Sequence, residues 1–90
     1  MSEKIILAVV HHSETDNVIT ALVDNEIDVT QLSSMGGFLR RGNTTLLIGV
    51  DQSELENVLA VIRGAPQGTL PEGEHAVTLF VLDAESFEQI

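Results

Sequence analysis

The residues best suited to bind a phosphorylated ligand lie in one glycine-rich stretch, residues 36–43. Gly36 and Gly37 allow a backbone in which several N–H groups converge on one anion. Phe38 offers an aromatic face for a base, and Asn43 offers a carboxamide that both donates and accepts hydrogen bonds. These residue types suit a phosphate and a base, although a Gly–Gly pair is also a common turn and Phe38 could pack against a neighbouring subunit.

Three histidines form a second candidate site. His11 and His12 follow the first apolar run, and His75 precedes the last one. Neighbouring residues in a strand point to opposite faces, so only one of the first two could join His75. Two imidazoles need further ligands to hold a metal, with Glu14 or Glu74 as the nearest acids. Exposed histidines at strand ends are the simpler interpretation, and we predict no metal site.

The composition excludes several classes of function. The 90 residues include no cysteine and carry fourteen acidic against four basic residues, for a formal net charge of −10 at pH 7. So acidic a chain is a poor partner for nucleic acid polymers, and thiolate chemistry is impossible. No nucleophile and base are spaced for catalysis, so we predict that the protein is not an enzyme and has no cofactor. The first apolar run is too short for a signal peptide or a membrane span, which favours a cytoplasmic location.

The periodicity of apolar residues places these side chains on alternating strands and helices. Residues 51–54 resemble a capping box, in which Asp51 and Glu54 would start the second helix. Val18, Ile19, Leu22 and Val23 form the predicted apolar side of the first helix. The predicted elements are a strand at 5–10, a helix at 14–25, an edge strand at 28–34, a strand at 44–50, a helix from 51 to 64, a strand at 75–82 and a short helical turn at 83–90.

The order βαββαβ in one domain, residues 1–90, predicts an α+β, ferredoxin-like fold with an antiparallel sheet in the order 4-1-3-2 and both helices on one face. Three of the strands are apolar on both faces, yet the helices cover only one face. An uncovered apolar face usually marks an interface, so we expect a homo-oligomer formed by that face. The topology also places His11, the glycine-rich stretch and His75 at one end of the sheet, where a neighbouring subunit could contribute.

The sequence resembles the cyclic di-AMP receptor family, the PII-like relatives of nitrogen regulators. The resemblance lies in Asp28-Val29-Thr30-Gln31-Leu32, Gly36-Gly37-Phe38-Leu39-Arg40-Arg41-Gly42-Asn43-Thr44-Thr45, Gly49-Val50, Phe80-Val81 and Phe87-Glu88-Gln89. It implies a homotrimer that is not an enzyme, that holds a cyclic dinucleotide between subunits and that signals to a protein target through its loops.

The resemblance also implies which residues bind the ligand. The backbone N–H groups of Gly37, Phe38 and Leu39 would face a phosphate, Asn43 would face the adenine, and Gly49 would leave room for the ligand. Gly49 could instead relieve a crowded contact between subunits. The full predicted ligand site comprises Thr30, Gly36, Gly37, Phe38, Leu39, Asn43, Gly49, Phe80 and Gln89.

Two features depart from the family pattern. Asp28 stands where relatives often carry Arg or Lys, and a carboxylate repels a phosphate. The segment Gly64 to Glu74 is much shorter than the corresponding loop of the family. Both departures favour a second hypothesis, in which a PII-like trimer has lost dinucleotide binding and acts as a protein-interaction module.

Overall fold

The computed structural model describes residues 3–32 and 42–84. These residues form four strands and two helices, and a short 3-10 turn precedes each helix. The elements are β1 (Glu3–Val10), a 3-10 turn (His12–Glu14), α1 (Thr15–Asp24), β2 (Thr30–Leu32), β3 (Thr44–Asp51), a 3-10 turn (Gln52–Glu54), α2 (Leu55–Gly64) and β4 (Val77–Ala84). Neither described helix is long and apolar enough to cross a bilayer.

The four strands form one antiparallel sheet in the order β2-β3-β1-β4. β1 lies in the centre and pairs along its whole length with β3 on one side and β4 on the other. β2 pairs with β3 over only three residues, so one edge of the sheet is short. The predicted ferredoxin-like fold and the predicted strand order are both confirmed.

The helices pack against one face of the sheet and close a single core. Every second residue of β1 and β3 points to this face, because side chains alternate along a strand. The helices contribute apolar residues at helical spacing from the opposite side. The buried core consists of Ile6, Ala8 and Val10 of β1, Leu46, Ile48 and Val50 of β3, Val18 and Leu22 of α1, Val58, Leu59 and Ile62 of α2, and Ala65.

No described helix covers the other face, which we call the open face. Residues directly paired in an antiparallel sheet point to the same side, so the register defines its members. They are Glu3, Ile5, Leu7, Val9, Thr30, Leu32, Thr45, Leu47, Gly49, Asp51, Thr78, Phe80, Leu82 and Ala84. The side chains are mostly apolar, and Phe80 and Leu82 are 51% and 48% exposed. The predicted apolar sheet face is therefore present, and no helix within residues 3–32 and 42–84 covers it.

Two local predictions about the helices are wrong. The capping box does not form, because a 3-10 turn separates Asp51 from α2 and the Asp51 carboxylate accepts a hydrogen bond from Ser53 Oγ at 2.6 Å. Val23 does not join the core and is 59% exposed. It follows the buried Leu22 directly, about 100° farther around the helix, which turns it to solvent.

The bounds of two strands also differ from prediction. β2 begins at Thr30 rather than at residue 28, because α1 ends in a reversal with Glu26 at φ 59 and the following residues span the connection. β4 begins at Val77 rather than at His75, since its partner β1 turns away after Val10. It continues through residues 83–84, which were predicted to be helical. Residues 33–34 and 85–90 lie outside the described part of the chain.

Candidate functional site

Two of the predicted ligand residues, Thr30 and Gly49, share one cavity of about 570 Å³. Its lining comprises Glu3, Asp28, Val29, Thr30, Leu47, Gly49, Val50 and Asp51. Three carboxylates therefore face this space, and no lysine or arginine from residues 3–32 and 42–84 lines it. The nearby Lys4 is instead paired with Asp83 of β4. The cavity is thus acidic on the described side.

Gly49 lies exposed in the middle of the lining. A Cβ atom built on Gly49 would meet no atom of residues 3–32 or 42–84 within 4 Å, and its φ lies outside the left-handed region. The fold of these described residues therefore does not require a glycine here. The absent side chain leaves room for something beyond them, such as a ligand or a neighbouring subunit.

Asn43 lies at the opposite end of β3, some six residues or ~20 Å from Gly49. It lines a separate cavity of about 230 Å³ together with Val9, His11, Gly73, Glu74, His75 and Thr78. The carboxamide oxygen Oδ1 of Asn43 accepts a hydrogen bond from the backbone N–H of His12 at 3.2 Å. This contact joins the start of β3 to the turn that follows β1.

Phe80 lies on the open face of the edge strand β4 and is half exposed. Its row across the sheet is Phe80, Leu7, Leu47 and Thr30, so three strand spacings of ~4.8 Å separate Phe80 from Thr30. A single chain therefore does not bring Thr30, Asn43 and Phe80 into one cavity. The other predicted ligand residues, Gly36, Gly37, Phe38, Leu39 and Gln89, lie outside the described residues.

His11 and His12 lie in the turn after β1, where their side chains make contacts within the fold. The rings of His11 and His12 stack with centroids 4.3 Å apart. His11 Nδ1 accepts a hydrogen bond from Ser13 N at 3.2 Å, and Nε2 lies 3.1 Å from Glu74 Oε1. Because Nδ1 accepts, the neutral ring carries its proton on Nε2 and donates it to the Glu74 carboxylate. His11 thereby ties this turn to the segment before β4.

His75 lines the same small cavity as His11, as the adjacent strands suggested. Among the described residues, however, no three histidine or acidic side chains are grouped so that they could hold a metal ion. The interaction between His11 and Glu74 joins the turn after β1 to the segment before β4.

Glu14 is the buried residue that sequence reasoning missed. Its side chain is only 1% exposed and accepts hydrogen bonds from Asn17 Nδ2 at 2.8 Å, Gln67 N at 3.1 Å and Gly68 N at 2.7 Å. The Asn17 contact, followed by the two backbone contacts, lowers the pKa of Glu14 despite its burial. In the sequence Glu14 resembles an ordinary acid at a helix start, and its backbone partners lie 53 and 54 positions away.

The connection between α2 and β4, residues 65–76, is therefore held at two points. Near its start, the Gly68 N–H donates to the Glu14 carboxylate. Near its end, the His11 ring contacts Glu74, and the His11 N–H donates to Ala76 O at 2.8 Å. Gly68 permits the first contact, since an added Cβ would lie 2.9 Å from Glu14 Oε2. The short connection is thus fixed against the turn after β1.

Comparison with known proteins adds to this geometry. Residues 3–69 match the model of a family described as cyclic-di-AMP receptor. The matched range includes Thr30, the glycine-rich stretch, Asn43 and Gly49, and it ends before β4. The chain is also similar to the crystal structure of a functionally unknown protein from Pediococcus pentosaceus, with 28% sequence identity and a TM-score of 0.77 over 100% of this chain and 99% of that one.

Proposed function

This chain belongs to the cyclic-di-AMP receptor family, and we propose that it is a PII-like signalling protein that binds cyclic di-AMP between the subunits of a homotrimer. The family match over residues 3–69 carries the proposal. A receptor family indicates a binding role rather than a catalytic one. The proposed ligand site uses Thr30, Gly36, Gly37, Phe38, Leu39, Asn43, Gly49, Phe80 and Gln89, drawn from more than one subunit.

The separation of these residues in one chain supports a shared site. Thr30 and Gly49 line one cavity, whereas Asn43 lines another at the far end of β3. Along β3, ~20 Å separates Gly49 from Asn43. In a shared site, a second subunit would supply the Asn43 or Phe80 that does not line the Gly49 cavity of the first.

The open face supports the oligomer itself. Half-exposed Phe80 and Leu82 continue an apolar surface across β1 and β3, and such surfaces usually mark interfaces.

A matched pair of variants tests the oligomer. Leu82→Asp places a charge in the open face, whereas Val23→Asp places one at a similarly exposed apolar residue on α1. Sedimentation should give a trimer for the native chain and for Val23→Asp, and a smaller species for Leu82→Asp. A native chain that sediments as a monomer at micromolar concentration would contradict the trimer.

Calorimetric titration tests the ligand. Cyclic di-AMP should release or absorb heat at micromolar concentration, and cyclic di-GMP serves as the comparison for base preference. Absence of binding by cyclic di-AMP at tens of micromolar would contradict the receptor proposal.

The acidic cavity favours one alternative function. Glu3, Asp28 and Asp51 surround the space beside Thr30 and Gly49, and they oppose a ligand with two phosphates. In this alternative the trimer has lost dinucleotide binding and acts as a protein-interaction module. A stable trimer without dinucleotide binding would support this alternative over the receptor.

A further inference from the structure

We infer that the backbone N–H of His12 is a positioning group that holds the Asn43 carboxamide in one orientation, with Oδ1 turned to the turn after β1 and Nδ2 turned outward as a hydrogen-bond donor to an acceptor nitrogen of a purine ring. This inference rests on the proposed function, because it specifies how the ligand site reads the base. His12 acts through Asn43 and does not itself contact the ligand.

The chemistry of the contact fixes the orientation of the amide. A backbone N–H can only donate, and of the two ends of a carboxamide only the oxygen accepts. The 3.2 Å contact from His12 N therefore selects Oδ1 and turns Nδ2 away. The two N–H bonds of Nδ2 then lie at the end of the amide that faces away from His12 N, so the side chain offers a donor there rather than an acceptor.

The turn that supplies this N–H is itself held firmly. His12 is the first residue of a 3-10 turn, and such residues have N–H groups without partners inside the helix. The preceding His11 is anchored through its N–H to Ala76 O at 2.8 Å and through its ring to Ser13 and Glu74. The position of the His12 N–H is therefore determined by the fold rather than by Asn43.

Gly42 brings Asn43 to this turn. Its φ of 87 lies in the left-handed region, which favours glycine. A Cβ on Gly42 would lie 3.5 Å from the His12 Cβ, so the backbone before Asn43 passes close over the turn. The backbone at Gly42 and the backbone of the turn after β1 together place Asn43 beside His12.

The consequence for recognition is an oriented donor. The nitrogens N1, N3 and N7 of adenine are acceptors in the plane of the base, and an outward Nδ2 can donate to any of them. An amide that is oriented before binding loses less conformational freedom on binding, which strengthens the contact. The site then favours a base whose ring nitrogen opposite Asn43 is an acceptor over a base in which that nitrogen carries a hydrogen.

Two pairs of variants test the inference. Asn43→Asp keeps an oxygen for the His12 N–H and removes the outward donor, whereas Asn43→Ala removes both. His12→Pro removes the N–H together with the imidazole that stacks on His11, at a first helical position where proline is tolerated, and His12→Ala removes only the imidazole. The His11 ψ of 140 suits a residue before proline.

Binding of cyclic di-AMP is measured by calorimetry, and protection of the His12 amide by hydrogen exchange. We expect Asn43→Asp to keep the amide protected while it weakens binding by about tenfold or more, through loss of a donor to a ligand acceptor. Asn43→Ala should lose both. His12→Pro should weaken binding at an unchanged unfolding midpoint, and His12→Ala should bind within about twofold of native, a change too small to represent a hydrogen bond.

The possible failures are distinct. A native chain that does not bind cyclic di-AMP contradicts the proposed function, whatever the exchange result. A native chain that binds the dinucleotide as tightly after Asn43→Asp or His12→Pro overturns the inference and leaves the proposed function intact. A His12 amide that is unprotected in the folded native chain also overturns the inference, independently of any ligand.

Discussion

Gly49 offers a direct test of the ligand site, because alanine at this position should stabilise the fold but weaken ligand binding. No atom of the part of the chain that the structure describes lies within 4 Å of a Cβ built at this position. Glycine inside a strand costs roughly 0.5–1 kcal/mol relative to alanine, so Gly49→Ala should stabilise the isolated fold by that amount. For a domain of this size the gain corresponds to a rise in the unfolding midpoint of about 2–8 °C.

The same methyl group should weaken the ligand complex. A methyl inserted into a space that the ligand fills costs about 1–3 kcal/mol, which corresponds to a loss of affinity of roughly 5- to 150-fold. Thermal unfolding and calorimetric titration with cyclic di-AMP measure the two effects on one preparation. Gly64→Ala is the matched control, since Gly64 on α2 also has open space at its Cβ and lies outside both site cavities.

Two results would refute this reasoning. If Gly49→Ala binds the dinucleotide as tightly as the native chain, the open space beside Gly49 does not hold the ligand. If the variant unfolds earlier and sediments as a smaller species, the open space belongs to a contact between subunits instead. Gly64→Ala should show neither the loss of affinity nor the change in mass.

Three further predictions follow from charged and crowded positions. Asp28→Asn removes a carboxylate from the ligand cavity and should tighten cyclic di-AMP binding by about 1 kcal/mol at low salt, measured by calorimetry with the exposed Asp24→Asn as control. The lowered pKa of Glu14 means that its carboxylate stabilises the fold above the ordinary glutamate pKa and loses this effect as the pH falls through the lowered value. Urea midpoints between neutral and acid pH should therefore fall less steeply in Glu14→Gln, and an equally steep fall would contradict this role. Gly68→Ala should lower the unfolding midpoint, since overpacking typically costs about 1–3 kcal/mol, and an unchanged midpoint would show that the connection can move away.

Much of the fold is visible in the sequence because it depends on local pattern. The apolar runs of β1, β3 and β4 predict a sheet that is apolar on both faces, and two amphipathic helices can cover only one of them. An open face is therefore expected from the numbers of apolar faces and helices alone, before the pairing of the strands is known. Val23 is the instructive exception, because apolar character alone does not tell which side of α1 meets the sheet.

The site was less predictable because it depends on register and on distant contacts. Thr30 and Gly49 share a cavity because Thr30 of β2 pairs with Leu47 of β3, and the residue types in these strands do not predict that register. The bonds from Gln67 and Gly68 to Glu14 join positions more than fifty residues apart. Backbone donors of this kind leave no signature in side-chain composition, so sequence reasoning cannot locate them.

The central position of β1 has a consequence for the synthesis of the protein. Of the four described strands, β1 is the first to leave the ribosome, and its partner β4, which ends at Ala84, is the last. Until β4 arrives, one edge of β1 presents N–H and C=O groups that no other strand of the described sheet pairs, and pairings between distant segments form slowly. During this interval the nascent chain carries an open apolar edge, which neighbouring chains can join. The order of the described strands thus exposes β1 to pairing with other chains until β4 reaches it.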